Sequence, residues 1–185
     1  MRKYRFAPRY GAKIRTISTV TKFEDPKNEI AKYSRMGYSI RQLEEQFEEY
    51  MIDKNRVRGN IFLNEGINFI WSIVCGATGL TPFNNANAHI GVGDGTAAAS
   101  PSQTGLQGVN KTYKPMDTGY PIYGSDQKAI FRSTFGANDA NYTWNEWTVA
   151  NGNSDAAINL NRKVESLGTK ASGSTWVLEV QLIMS

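Results

Sequence analysis

Few side chains with catalytic potential lie in the segments that the sequence predicts to be ordered. The carboxylates in predicted strands of the C-terminal part are Glu146, Glu165 and Glu179. Glu146 stands between Trp144 and Trp147, so a carboxyl group with a raised pKa, or half of a glycosidase pair, is one interpretation. Acid–base catalysis requires a second positioned group. We therefore favour a structural ion pair between Glu146 and either Arg132 or Arg162.

The chain contains one cysteine, Cys75, and one histidine, His89. A structural zinc site requires about four such ligands, and a cysteine nucleophile requires a nearby base. Cys75 ends the apolar run Ile-Trp-Ser-Ile-Val-Cys, where a buried and unreactive thiol is expected. The sequence thus predicts a protein that is not an enzyme and that has no metal ion or other cofactor.

A glycine-rich segment, Gly91-Val-Gly-Asp-Gly-Thr96, suggests a phosphate-binding loop. A dinucleotide fingerprint requires a third glycine at a later spacing and a helix after it, and a P-loop requires Gly-Lys-Ser/Thr. Neither pattern is present. We interpret these glycines as residues that let a strand leave the edge of a sheet.

Positive charge is concentrated at the N terminus, although the net charge is only +4. Residues 1–22 contain seven basic and no acidic residues, whereas the rest of the chain contains 14 basic and 17 acidic residues. We predict an extended basic arm over residues 1–24, with candidate partner-binding residues Arg2, Lys3, Arg5, Arg9, Lys13 and Arg15. Such an arm suits an acidic protein surface, although nucleic acid and simple solvation remain alternatives.

Residues 25–80 are predicted to be helical. Asp25 and Pro26 predict a helix start, with Asp25 as the N-cap and Pro26 at the first helical position, and Gly37 ends this first helix near Arg35. Ser39 has the capping-box spacing to Gln42 and begins a second helix to about Lys54. Its acidic face, Glu44, Glu45, Glu48 and Glu49, would repel DNA, so an αα-hairpin is favoured over a helix-turn-helix. This face is a candidate site for a basic arm from another copy of the chain.

A third helix is predicted to begin at Asn60 or Asn64 and to end near Val74. Its apolar residues lie almost all round the helix, which predicts burial. The apolar stretch is too short and too polar to cross a bilayer, and residues 1–22 lack the apolar core of a signal peptide. We expect a protein made in the cytoplasm that does not associate with a membrane.

Residues 81–185 are predicted to form an antiparallel β-sandwich or barrel. Glycine and proline recur at short intervals, and the runs between them have the length and alternation of strands. Trp144 and Trp147 are expected on opposite faces of one strand. The predicted strands are 89–92, 109–113, 122–123, 128–135, 142–149, 158–166 and 175–184. The fold class is therefore α+β, mainly β.

The region from about Asn87 to Ser185 resembles the β-domain of bacteriophage virion proteins, namely fibre and appendage attachment domains and small head-associated proteins. The residues that carry this resemblance are Phe135, Asn141, Asn145, Glu146, Trp147, Asn161, Arg162, Lys163, Lys170, Gly173 and Trp176, together with the glycine-rich segment from Ala88 to Thr96. The chain differs from fibre proteins in having no repetitive shaft.

The resemblance implies a virion structural protein, made in the host cytoplasm, that binds other virion proteins and copies of itself. Small size and a docking arm favour a capsid decoration or head-associated protein that contacts the major capsid protein. A tail, baseplate or fibre-attachment protein is the alternative. A nucleic-acid-binding module that uses the arm is a further alternative, and a carbohydrate-binding appendage would require Trp144 or Trp147 to be exposed.

Overall fold

The computed structural model describes residues 14–184, and in this part of the chain strands predominate. Ten strands form two antiparallel five-stranded sheets that accompany three short helices. The elements in chain order are β1 (Ile14–Glu24), α1 (Glu29–Arg35), α2 (Ile40–Gln46), a 3₁₀ turn (Glu48–Tyr50), β2 (Met51–Arg58), β3 (Ile61–Phe62), α3 (Asn64–Val74), β4 (His89–Gly93), β5 (Lys111–Pro115), β6 (Ile122–Ser125), β7 (Lys128–Phe135), β8 (Thr143–Ala150), β9 (Asn161–Thr169) and β10 (Ser174–Met184). The predicted fold class, α+β and mainly β, is confirmed.

The first sheet has the order β2-β1-β10-β7-β6. β1 pairs with β10 along its whole length, from Ile14 opposite Met184 to Glu24 opposite Ser174. Residues 14–24, which we assigned to the arm, therefore form an inner strand of the sheet. The other arm residues, 1–13, lie outside the described residues.

The second sheet has the order β3-β9-β8-β4-β5. Its inner face and that of the first sheet enclose one apolar core, which includes Ile90, Trp147, Phe131, Leu178 and Val180. Trp144 also points into this core, where its ring meets Phe135 and Trp176 of the first sheet. The expectation that Trp144 and Trp147 lie on opposite faces is therefore wrong. A register irregularity between Trp144 and Glu146 resets the alternation.

Helices α1 and α2 cover the outer face of the first sheet. Phe23, Ile30, Leu43 and Val177 form a second, smaller apolar cluster there. The Ser39–Gln42 capping box is present as predicted. The N-cap of α1 is Asn28, and Asp25 instead accepts hydrogen bonds from the N–H groups of Glu29 and Ala31.

Two predictions for the helical region are wrong. Helix α2 ends at Gln46 and not near Lys54, because Met51–Arg58 pairs with β1 as an edge strand. Helix α3 does begin at Asn64, but it is not buried on all sides, and Cys75 beyond its end is exposed. The reason is that α3 packs at an open end of the sandwich with only one face against the core.

Candidate assembly site

An apolar groove of about 680 Å³ lies at the open end of the sandwich, between α3 and the β6–β7 hairpin. Its walls combine side chains from α3, from the second sheet and its neighbouring loops, and from the inner face of the first sheet: Phe62, Phe69, Ile70, Ile73, Phe83, Phe131, Leu160, Leu182 and Met184, with residues 124–129 at the rim. Its size falls in the range of sites that bind small molecules or peptide side chains.

Helix α3 is held in place by its first turn. The Leu63 N–H donates to the Leu160 carbonyl over 3.0 Å, and the Asn159 N–H donates to Glu65 Oε1 over 2.9 Å. Burial raises the pKa of Glu65, against the hydrogen bond from Asn159. A Cβ at Gly66 would lie 2.6 Å from the Leu160 backbone, so only glycine permits this close approach.

The C-terminal half of α3 exposes large apolar side chains. Trp71, Ile73 and Val74 are 60%, 50% and 68% exposed, and Ile73 also lines the apolar groove. Ile122 and Tyr123 are exposed as well, and they belong to β6, whose residues Gly124 and Ser125 line the groove. Grouped apolar side chains at the surface are typical of contact sites for other molecules. The exposed part of α3, β6 and the apolar groove together form the candidate assembly site.

Glu146 and Arg162 form a buried ion pair, as predicted. Arg162 Nε donates to Glu146 Oε2 over 2.6 Å, and both side chains are 0% exposed. Glu146 also accepts hydrogen bonds from the backbone N–H groups of Gly95, Gln107 and Gly108. The pair therefore fixes the 94–108 loop against the outer face of the second sheet.

The glycine-rich segment makes room for this packing. β4 is an inner strand between β8 and β5, so our interpretation that its glycines release a strand from a sheet edge is wrong. A Cβ at Gly93 or Gly95 would lie within 2.7 Å of Glu146 Oε1, and a Cβ at Gly91 would lie 2.5 Å from the Tyr113 ring. The glycines thus allow the side chains of Glu146 and Tyr113 to pack directly against the backbone.

Four further residues of the resemblance lie on β8 and β9, the strands that carry Glu146 and Arg162. Trp147 Nε1 donates to Ser18 Oγ of the first sheet over 2.8 Å, and Asn145 Nδ2 donates to the Asp94 carbonyl. Asn161 Oδ1 accepts from the Val149 N–H, and Lys163 forms an ion pair with Glu165. These contacts stabilise the sandwich. Trp144 and Trp147 are fully buried, so neither offers a stacking surface for a sugar.

A second buried ion pair, Asp117–Arg132, was missed at the sequence level. Arg132 Nε donates to Asp117 Oδ2 over 2.9 Å, and its other nitrogens donate to the carbonyls of Ser34 and Tyr38. Burial raises the pKa of Asp117, against the attraction of Arg132. An arginine in the middle of a predicted strand, directly after Ala129, Ile130 and Phe131, was the available signal, since a buried charge requires a partner. This pair joins α1 and the following turn to the first sheet.

The predicted basic and acidic surfaces are only partly described. Arg2, Lys3, Arg5, Arg9 and Lys13 lie outside the described residues, and Arg15 is an exposed residue of β1. In the acidic face, Glu44 and Glu45 belong to α2 and form ion pairs with Lys54 and Arg41, while Glu48 and Glu49 belong to the 3₁₀ turn. Two of the four predicted carboxylates are therefore already paired within the chain.

Within residues 14–184, no three metal-ligating side chains come together as an ion site would require, and no helix has the length and apolar character needed to cross a bilayer. Comparison of the chain with family models, with curated proteins and with solved structures found no match.

Proposed function

We propose that this chain is a non-enzymatic structural subunit of a bacteriophage virion, a capsid decoration or head-associated protein that attaches to neighbouring capsid subunits. The single observation that carries the proposal is the exposed apolar surface of α3 beside the apolar groove. A surface of this kind is unfavourable in water and gains free energy when a partner covers it. The resemblance of residues 87–185 to phage virion β-domains supplies the class of partner.

The charge distribution supports the same kind of attachment. The arm contributes basic side chains, and Arg15 continues them onto the exposed surface of β1. Cations on an arm strengthen docking on an acidic protein surface and accelerate the encounter. The buried carboxylates Glu146 and Asp117 form structural ion pairs that stabilise the subunit. Binding to a partner therefore depends on the surface residues.

Imaging of virions from the source phage by cryo-electron microscopy tests the proposal. Density for this chain over the capsid lattice would support a decoration protein. Density at the neck, tail or fibre base would replace it with the attachment alternative, and particles without the chain would overturn the proposal. Steep loss of DNA binding with added salt in the isolated protein would favour the nucleic-acid alternative.

A variant pair tests the surface itself. Trp71→Asp should abolish binding to particles that lack the protein, because it places a charge in the apolar contact. Ser172→Asp is the matched control, since it adds the same charge at an exposed position in the turn before β10, at the end of that strand opposite Met184. If Trp71→Asp and its control both bind as well as the unaltered protein, the exposed side of α3 lies outside the contact. Circular dichroism should show unchanged folding in both cases, because both side chains are exposed.

A further inference from the structure

β2 is an edge strand with one open side. In the sheet order β2-β1-β10-β7-β6 it pairs with β1, and within residues 14–184 no strand pairs with its other side. It spans eight residues, Met51–Arg58, without a proline or a glycine. The other edge strands are shorter, since β3, β6 and β5 have two, four and five residues. β2 therefore offers the longest edge to which a further strand can be added.

The backbone groups of Lys54, Arg56 and Arg58 point to this open side. The Gly59 N–H donates to the Thr16 carbonyl over 2.9 Å, so Gly59 and Thr16 form a hydrogen-bonded pair of the antiparallel ladder. Such pairs alternate with pairs whose backbone groups point away from each other. The register between β1 and β2 places Lys54, Arg56 and Arg58 in pairs of the second kind.

Two of these outward backbone groups already have partners. Lys163 Nζ donates to the Arg58 carbonyl over 3.2 Å, and the Lys54 N–H donates to Asp53 Oδ1 over 2.8 Å. Within the described part of the chain, the N–H and the carbonyl of Arg56 have no hydrogen-bond partner. A strand added to this edge would therefore pair chiefly with Arg56, and would also accept from the Arg58 N–H.

The side chains of the same three residues form a cationic row on the outer face of the first sheet. Val57 belongs to the core, so the alternate positions Lys54, Arg56 and Arg58 lie on the opposite face, and all three are exposed. Lys54 forms an ion pair with Glu44, whereas Arg56 and Arg58 form none with any described residue. Alternate residues of a strand are about 6.7 Å apart, so carboxylates at positions i and i+2 of an added strand match the two free guanidinium groups.

We propose that β2 accepts an extended acidic segment of another protein as an additional strand of the first sheet. Main-chain hydrogen bonds to Arg56 and Arg58 provide the pairing, and carboxylates at alternate positions of the segment pair with the two guanidinium groups. Cations on an edge strand discourage unspecific pairing, and an acidic strand is the kind that they attract.

A second copy of this chain does not fit the same edge. Two copies of β2 would have to set their outward-facing residues opposite each other, so the cations Lys54, Arg56 and Arg58 of one copy would face those of the other. Like charges directly opposite each other destabilise a pair of strands. The inference goes beyond the proposed function, because it concerns a different surface from the candidate assembly site and does not depend on a virion location.

Amide hydrogen exchange in the full-length ¹⁵N-enriched protein tests the proposal with a synthetic peptide. The probe is the end-capped peptide Thr-Thr-Glu-Thr-Glu-Thr-Thr, whose two glutamates lie on one face of a strand. At a peptide concentration about ten times the measured Kd, exchange of the Arg56 and Arg58 amides should slow about tenfold. The Asn55 and Val57 amides, which face β1, should keep their rates. No binding at millimolar peptide, or binding without slower exchange at Arg56 and Arg58, would overturn the proposal.

A second peptide and two protein variants separate strand pairing from general attraction between charges. The control peptide Thr-Thr-Glu-Glu-Thr-Thr-Thr has the same composition, but its adjacent glutamates point to opposite faces, so it should bind about fivefold more weakly. Arg56→Glu should weaken binding of the first peptide about tenfold. Lys27→Glu, the same change of charge at an exposed residue in the turn before α1, should leave binding unchanged.

Three outcomes of these controls would overturn the proposal. Equal affinity for the two peptides, or equal loss with the two variants, would show that only the total charge matters. Equal protection of the Arg56 and Arg58 amides by a short oligothymidylate would show that any polyanion occupies the edge. Circular dichroism should show that Arg56→Glu is folded, because the side chain is exposed and its backbone does not bond β1.

Discussion

Replacement of Glu146 by alanine is predicted to be among the most destabilising single changes in the sandwich. The carboxylate is fully buried and has four partners: Arg162 Nε and the backbone N–H groups of Gly95, Gln107 and Gly108. Glu146→Ala leaves a buried guanidinium without its counter-ion and three amides without their acceptor. Breaking a buried pair in this way costs about 3–5 kcal/mol.

The expected fall in the melting temperature follows from this free energy. For a chain of this size, 1 kcal/mol corresponds to about 2–4 °C, so Glu146→Ala should lower Tm by about 6–20 °C. Arg162→Met should cost less, because it leaves the carboxylate with its three amide donors. Calorimetry measures Tm, and hydrogen exchange should show faster exchange at Gly95, Gln107 and Gly108, since the 94–108 loop loses its anchor.

Glu165→Ala is the matched control for Glu146→Ala. Glu165 also pairs with a cation of β9, Lys163, over 3.0 Å, but its side chain is half exposed. Exposed pairs contribute at most about 1 kcal/mol. If Glu146→Ala lowers Tm no more than Glu165→Ala does, the buried pair does not stabilise the fold as we argue. Unchanged exchange at the three amides would likewise contradict its role in fixing the loop.

Three further changes test the packing. Burial lowers the pKa of Lys170 to about 8, against the attraction of Asp139 and Asp25, so the unfolded chain holds more protons between about pH 8 and 10.5. The stability contributed by this group should therefore rise from about pH 8 to about pH 10.5. Lys170→Met should remove that rise in urea unfolding, and an equal slope of stability against pH in both proteins would contradict the prediction. Trp147→Phe and Ser18→Ala should each remove the 2.8 Å hydrogen bond between the sheets. A double-mutant cycle should give a coupling free energy of about 1 kcal/mol, and additive effects would show that this bond does not stabilise the fold. Gly91→Ala should lower the free energy of unfolding by about 1–3 kcal/mol, because the added methyl group overlaps the Tyr113 ring, and by less in a Tyr113→Leu background. An equal loss in both backgrounds would show that the overlap is not with Tyr113.

Features set by short-range signals could be predicted from the sequence. The Ser39–Gln42 capping box and the span of β7 from Lys128 to Phe135 match the structure, because a cap and the turn residues that bound a strand act over a few positions. A structural ion pair of Glu146 with Arg132 or Arg162 was also predicted, since a charge within an aromatic strand requires a partner, and the structure shows Arg162 as that partner. These features depend little on the rest of the fold.

The end of α2 could not be predicted in this way. Phe47, Tyr50 and Met51 continue the three- and four-residue spacing of a helix, yet the chain leaves the helix after Gln46. Met51–Arg58 instead completes hydrogen bonds along β1, which would otherwise be an unpaired edge. Helix propensity is a weak preference that such pairing overrides. The sequence of residues 47–58 alone does not show that β1 lies beside them.

The position of Trp144 depended on an irregularity that the sequence does not mark. Strict alternation separates Trp144 from Trp147, but the pairing of β8 with β9 shifts between Trp144 and Glu146. Asn145 is held there by its bond to the Asp94 carbonyl. Because the shift changes the parity of the strand, both indoles enter the core and Glu146 turns toward the 94–108 loop. A residue pattern with period two cannot reveal where that period is interrupted.

The candidate assembly site was missed for a related reason. Phe69 and Trp71 are both large and apolar, and a helix that is apolar all round predicts burial for both. The structure buries Phe69 and leaves Trp71 and Val74 exposed, because the sandwich covers only one side of α3. The exposed side of α3 therefore carries large apolar side chains of the kind that are usually buried, but no other part of the described chain covers them. A partner that covers this side would bury the apolar residues that the sequence predicts to be buried. Attachment should therefore be tested first at α3, before the basic arm.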